Sequence, residues 1–191
     1  KINMQKLSST LTNMILSLTI ISVIMAIALG FVYQKTKDPI AKGQQAKITN
    51  AIAEVLPEFD NDPTKEMQKI EDEDLIIYKA TKGGQWVGSA VKTYSLKGFS
   101  GKIVLMVGFL PDGTINNISV VDQKETPGLG TKMKEPKFKD QFKQKNPNSF
   151  NITVKKDGGD VDAITASTIT SRAFCDAVNR AYEAFKKGGN Q

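Results

Sequence analysis

Between Leu7 and Gln34 the chain carries no charged residue, and Met14 to Val32 is dense in Ile, Leu, Val, Met and Ala. A helix needs about 20 apolar residues to cross a bilayer, where each backbone polar group must be satisfied within the segment itself. Lys6 closes the run on one side, and Lys35, Lys37 and Asp38 close it on the other. Tyr33 sits where an interfacial aromatic would. Ala26-Ile27-Ala28 resembles a signal-peptide cleavage site, but the apolar run continues past it to Val32 and exceeds an ordinary signal-peptide core. The segment predicts a single-pass anchor. Charge leaves its orientation open. Lys1 and Lys6 precede it, while Lys35, Lys37, Lys42 and Lys47 follow, so a plain lysine count keeps the rest of the chain in the cytoplasm. That rule weakens for long translocated domains.

With the anchor set aside, the 191 residues leave roughly one domain of ordinary size. The chain has no His, which excludes Ser-His-Asp and Cys-His catalysis and any metal site built on imidazole. Its one cysteine, Cys175, can neither close an internal disulfide nor hold an iron–sulfur cluster alone. Redox chemistry would therefore need an organic cofactor or a partner. The net charge of +6 is nearly all lysine, with Arg172 and Arg180 the only arginines. A solvated surface explains it better than nucleic-acid binding.

Asp38-Pro39 is expected to break or cap the first helix. Ile40, Ile48, Ile52, Val55 and Leu56 then recur at helical spacing, giving an amphipathic linker helix that ends before Pro57. The acidic stretch from Asp60 to Asp74 reads as loop. Strand signals follow at Leu75–Ala80, Trp86–Tyr94, Lys102–Leu110 and Thr114–Val121, with turns at Gly83-Gly84, Gly98-Phe99-Ser100-Gly101 and Pro111-Asp112-Gly113. These make an antiparallel meander of about four strands that needs a helix to close its core. Lys134 to Lys145 reads as a short basic helix or turn, and Phe150 to Val154 as a candidate fifth strand. Ala173, Phe174, Ala177, Val178, Ala181 and Phe185 give the last helix an apolar stripe. The expected class is α+β, arranged as an anchor (1–37), a linker helix and acidic loop (38–74), and a ligand-binding domain (75–191).

Two loops stand out as carriers of chemistry. From Thr165 to Ser171, five hydroxyls (Thr165, Ser167, Thr168, Thr170 and Ser171) crowd into the entrance of that last helix. One would suffice as an N-cap, and a hydroxyl-rich helix N-terminus with free N–H groups is a natural phosphate site. Glu125-Thr126-Pro127-Gly128-Leu129-Gly130 has almost no capacity for regular structure. It reads either as a plain surface turn or as a loop whose glycines, Gly128 and Gly130, admit close backbone approach to a ligand. Leu129 would then pack on the ligand, and Thr126 would offer a hydroxyl. Trp86 and Tyr94, aromatics on a strand, and Cys175 on the last helix read as core. The lysines from Lys132 to Lys145 read as a solvated face, or else as a surface for lipid headgroups or an acidic partner.

Asp162-x-x-Thr165-Ala166-Ser167-Thr168-x-Thr170 resembles the flavinylation motif of FMN-binding domains, D-x-x-[ST]-G-A-T-x-[ST]. In place of its Gly stands Ala166, which argues against an obligatory positive φ there, and in place of its Ala stands Ser167. The Glu125–Gly130 loop is similar to that of the G subunit of Rnf electron-transport complexes, a family related to the C subunit of sodium-pumping NADH:quinone reductases. The resemblance covers nearly the whole chain, anchor included. It implies FMN carried as a phosphoester on Thr168 and installed by a flavin transferase. It also implies a cofactor site of Thr165, Ala166, Ser167, Thr168, Ile169, Thr170, Glu125, Thr126, Gly128, Leu129 and Gly130. No catalytic acid–base pair or metal site is expected. The implied function is electron relay in a membrane-bound, ion-translocating ferredoxin:NAD-type oxidoreductase. Its partners would be the membrane and peripheral subunits of that complex and membrane lipid. The implied location is the bacterial cytoplasmic (inner) membrane, with the flavin domain on the outer, periplasmic side. The competing reading from another class is an anchored ligand-binding or sensory domain without redox turnover.

Overall fold

In a computed structural model of the protein, residues 10–70 and 75–189 are described. Lys1, Lys6 and the end of the acidic stretch, 71–74, lie outside them. The chain divides into two compact units, Lys1–Ala46 and Lys47–Gln191.

Helix α1 runs from Leu11 to Val55. In the first unit its large apolar side chains, from Leu11 through Val32, are all exposed, as no core helix of a water-soluble domain would be. It is the one helix among the described residues that is long and apolar enough to cross a membrane. Two hydroxyls in its middle are satisfied internally: Thr19 donates to the Ile15 carbonyl at 2.9 Å and Ser22 to the Leu18 carbonyl at 2.8 Å. That is what a side-chain hydroxyl needs in hydrocarbon.

Asp38-Pro39 does not end this helix, contrary to the expectation above; Pro39 lies inside it. Proline removes one backbone bond and crowds the preceding turn. Beyond it the helix runs on through Ala41, Lys42, Gln44, Gln45 and Ala46, good helix formers, with Gly43 among them.

The second unit is built on a five-stranded antiparallel sheet in the order β1-β2-β3-β4-β5. The strands are β1 (Met67–Ile70), β2 (Leu75–Lys82), β3 (Gln85–Gly98), β4 (Gly101–Phe109) and β5 (Ile115–Asp122). The strand missing from the sequence reading is β1, within the acidic stretch, which is therefore not all loop. Phe150–Val154 forms no strand; only an isolated bridge joins Val154 to Val161.

Both faces of the sheet are covered. Ile103, Leu105, Val107 and Phe109 of β4 face α3 (Thr168–Ala184), while Met106 faces the end of α1. This explains why β4 reads as a continuous apolar run: a strand buried on both sides cannot alternate. Thr93 and Ser95 of β3 bond to α3, through the Ala177 carbonyl at 2.9 Å and Asp176 Oδ2 at 2.7 Å. The basic segment is a 3-10 turn (Gly130–Lys134), a one-turn helix α2 (Pro136–Lys139) and a second 3-10 turn (Asp140–Phe142). It turns Phe138 and Phe142 inward, each 5.1 Å from Phe174 of α3, ring centre to ring centre. Its lysines are exposed except Lys139, which is half-buried.

On the opposite face, Ala51, Ile52, Val55 and Leu56 pack on Tyr78, Ala80, Ala90 and Met106. Gly108 of β4 makes room for this: a Cβ there would lie 2.0 Å from the Val55 carbonyl oxygen. Asn116 and Asn117 donate to the Val55 and Glu54 carbonyls at 2.8 and 3.0 Å, capping the helix end with side chains. Glu54 accepts from Ser119 at 2.6 Å and from Lys139 at 2.8 Å.

Burial raises the Glu54 pKa, but the bonds from Lys139 and Ser119 outweigh it and hold the carboxyl below its usual range. A depressed folded-state pKa stabilises the fold above the unfolded value of about 4.3 and ceases to do so as the pH falls through the folded value. Denaturant unfolding from pH 7 to pH 3 should therefore show Glu54→Gln less stable than the parent at neutral pH, with the gap closing below about pH 4. A gap unchanged at pH 3 would show that the ionised carboxylate does not clamp the helix.

Candidate functional site

The loop after β5 turns on one carboxylate. Glu125 is 4% exposed; its Oε1 accepts the Ser100 N–H at 2.9 Å, and its Oε2 accepts the Thr170 hydroxyl at 2.6 Å. Its own N–H donates to Gln123 Oε1 at 2.6 Å. One side chain thus ties the β3–β4 bend, the 125–130 loop and the first turn of α3. Gly130 fits only because it lacks a Cβ, which would lie 2.6 Å from Glu125 Oε2 and 2.9 Å from Thr170 Oγ1. Gly128 stands outside this contact, with φ +75°, and its N–H donates to Thr131 Oγ1 at 2.9 Å.

Opposite the loop, α3 begins at Thr168 behind Ser167, which makes no side-chain cap bond. The first intrahelical bond runs from the Ser171 N–H to the Ser167 carbonyl at 3.0 Å. The N–H groups of Thr168, Ile169 and Thr170 precede it and have no acceptor within the helix. They carry the positive end of the helix dipole.

These two segments enclose a cavity of about 340 Å³ lined by Phe99, Glu125, Thr126, Leu129, Gly130, Ala166, Ser167, Thr168, Ile169 and Thr170. Nine of the eleven residues singled out from the sequence therefore meet in one place. Gly128 does not line the cavity, and Thr165 lines a neighbouring one of about 190 Å³ with Lys132, Lys137, Gln141 and Asp162. Asp162, the first residue of the motif, pairs with Lys155 at 2.8 Å. The rim is apolar and open: Phe99, Leu129 and Ile169 are 69%, 42% and 48% exposed. A flat ring would find apolar faces here, and an anion would find N–H groups.

Ala166 overturns one expectation. It has φ +61°, so the position does take the left-handed conformation, without a glycine. Phe99 was missed as a site residue; the available signal was an aromatic between Gly98 and Ser100-Gly101 at a strand end, where no core could take it. Trp86 packs on Phe185, and Tyr94 lies between Lys102 and Arg180, with neither in the cavity. Cys175 is buried, and desolvation pushes its thiol up to about 12, so it stays protonated and unreactive.

The FMN-binding domain family matches residues 98–183, a span that holds the whole cavity. An FMN-binding domain on a chain with one membrane-length apolar helix defines a membrane-anchored flavoprotein. The G subunit of the Na(+)-translocating ferredoxin:NAD(+) oxidoreductase complex of Acetobacterium woodii is 33% identical over 186 residues, 90% of this chain and 89% of its own. The G subunit of the proton-translocating ferredoxin:NAD(+) oxidoreductase complex of Clostridium ljungdahlii is 36% identical over 170 residues, 87% of each chain. Among solved structures, the C subunit of the Na(+)-translocating NADH-quinone reductase of Parabacteroides distasonis is 23% identical and matches 69% of this chain and 70% of its own, with a TM-score of 0.49. The chain belongs to the family of G subunits of ion-translocating oxidoreductase complexes.

Glu125→Ala should leave the buried Thr170 hydroxyl without its acceptor, a cost of about 1–3 kcal/mol, while the Ser100 N–H, on an exposed residue, can turn to water. Thermal unfolding of the purified chain checks this. A melting temperature equal to the parent's would mean that the carboxylate does not hold the three segments together.

Proposed function

We propose that this chain is the electron-relay subunit of a membrane-bound ferredoxin:NAD-type oxidoreductase, working with FMN held by a phosphoester on Thr168. The observation that carries the reading is the meeting, in one cavity, of the three N–H groups that open α3 and the apolar rim of Phe99, Leu129 and Ile169. The residues present fit FMN. The cavity volume falls within the range of about 300–1,000 Å³ usual for small-molecule sites. The Thr168, Ile169 and Thr170 amides suit a phosphate. The backbone at Gly130 and the side chain of Leu129 form a wall for a planar ring.

When bound, FMN supplies one- and two-electron transfer. Thr168 Oγ1 would take the new bond to phosphorus as the pyrophosphate bond of FAD breaks, AMP leaving and the hydroxyl proton passing to a flavin transferase. Glu125 keeps Thr170 and the Phe99 bend in place around the site. No member of the apolar run from Leu7 to Gln34 is charged, and nothing in the sequence looks like a nucleotide-binding Gly-rich loop, so this chain holds neither the ion path nor the NAD site alone and shares the work with other membrane and peripheral subunits. Anchoring by α1 keeps the domain beside them and raises its local concentration. We assign the flavin domain to the outer side of the bacterial inner membrane, on family likeness and against the lysine count.

Thr168→Ala, expressed in a host with the transferase, should lose all covalent flavin, read as missing mass and missing fluorescence of the denatured band, while the domain stays folded. FMN mapped to Thr165, Ser167 or Thr170 would defeat the assignment. No covalent flavin on the parent chain would favour the ligand-binding or sensory reading.

The topology has its own test. Protease added to intact spheroplasts should cut the exposed Lys65–Glu66 segment before β1. Protection until lysis would place the domain in the cytoplasm.

A further inference from the structure

Ser171, a buried member of the hydroxyl run, lies outside both cavities. Its Oγ accepts the Ile164 N–H at 2.9 Å and donates to the Ser167 carbonyl at 3.0 Å. Ile164 to Ser167 is a turn already closed by the Ser167 N–H on the Ile164 carbonyl, at 2.9 Å. A single hydroxyl from one turn up α3 therefore grips the first and last residues of this turn.

The turn needs the grip. Ala166, its third residue, sits at φ +61°, where type II turns place Gly or Asn. An alanine Cβ makes that conformation unfavourable, because it crowds the following carbonyl, and a chain free to relax would leave it. Thr168, two residues on, opens the helix, so the conformation at Ala166 sets where its hydroxyl stands relative to the cavity.

We propose that Ser171 is a positioning residue for the modification of Thr168. Its buried hydroxyl holds the strained Ala166 turn in the one conformation that presents Thr168 at the cavity. The hydroxyl does the work that a glycine at position 166 would do through conformational freedom. The inference rests on the reading of Thr168 as the FMN acceptor.

The full chain, purified in detergent from a host without the transferase, is incubated with FAD, Mg²⁺ and a purified flavin transferase. The initial rate of covalent labelling is read by fluorescence of the denatured band, and the site by peptide mapping. Ser171→Ala should lower that rate by about tenfold, the population change that corresponds to about 1.4 kcal/mol. Adding Ala166→Gly to Ser171→Ala should restore it, because glycine takes the turn's φ without the grip. Val178→Ala, a core truncation in α3 away from the turn, separates this from general loss of stability and should label at the parent's rate well below its melting temperature. Labelling of Ser171→Ala at the parent's rate, or failure of Ala166→Gly to rescue it, overturns the proposal while leaving the acceptor assignment intact. A parent chain that takes no flavin on Thr168 overturns the acceptor assignment and the inference with it.

Discussion

A carboxylate buried in a domain wall is costly unless hydrogen bonds satisfy it, and Glu125 is satisfied by groups from two different segments. One oxygen takes a backbone N–H from the β3–β4 bend, and the other takes the Thr170 hydroxyl. The Thr170 hydroxyl is buried against the carboxylate, while Ser100 lies at the surface, so the junction joins one buried bond to one at the rim and ties the three segments through a single side chain. The glycine at 130 follows from the same contact, since any side chain there would displace the carboxylate. The cavity is thus a consequence of one polar junction, and its apolar rim consists of the residues that the junction leaves outside.

Beneath that junction, the domain depends on a sheet covered on both faces. Helix α3 lies on one side, joined to β3 through Thr93 and Ser95, whose small side chains let the helix approach closely. The last turns of α1 lie on the other side, seated against Gly108 and capped by Asn116 and Asn117. The segment that leads out of the membrane run is therefore also a layer of the domain. Its final carbonyls, which a free helix would offer to water, are taken by side chains of β5.

What the sequence made legible follows from how strongly physics restricts each element. The anchor could be read because a bilayer tolerates almost no alternative to an uncharged apolar helix. Strands β2 to β5 could be read because turn residues at Gly83-Gly84, Gly98–Gly101 and Pro111–Gly113 punctuate them. Strand β1 could not: three of its four residues are exposed and only Ile70 packs on the core, which leaves no periodicity to see. Pro39 misled because its effect is local: it removes one backbone bond, and the helix resumes beyond it. Ala166 misled for a related reason. Its side chain disfavours the φ it adopts, and what imposes that φ is Ser171, whose bonds to Ile164 and Ser167 no spacing rule reveals. Cavity residues were legible where type and order mattered, as in the 125–130 loop, and not where only exposure mattered, as at Phe99.

The openness of the cavity bears on why a carrier would hold its cofactor covalently. Sites that retain a small ligand without a bond bury most of its surface. Here Phe99, Leu129 and Ile169 are each 42–69% exposed, and the cavity is at the small end of the usual range. Helix-dipole and amide contacts to a phosphate contribute modestly where water has access. Closing the site further would hold the ligand, but it would also hide the ring edge through which electrons enter and leave. On the reading proposed above, a phosphoester at Thr168 removes that conflict: retention moves to the phosphate end, where the N–H groups lie, and the ring end stays open to a partner. On that reading the labour divides between two segments, with the entrance of α3 for attachment and the 125–130 loop for the surroundings of the ring.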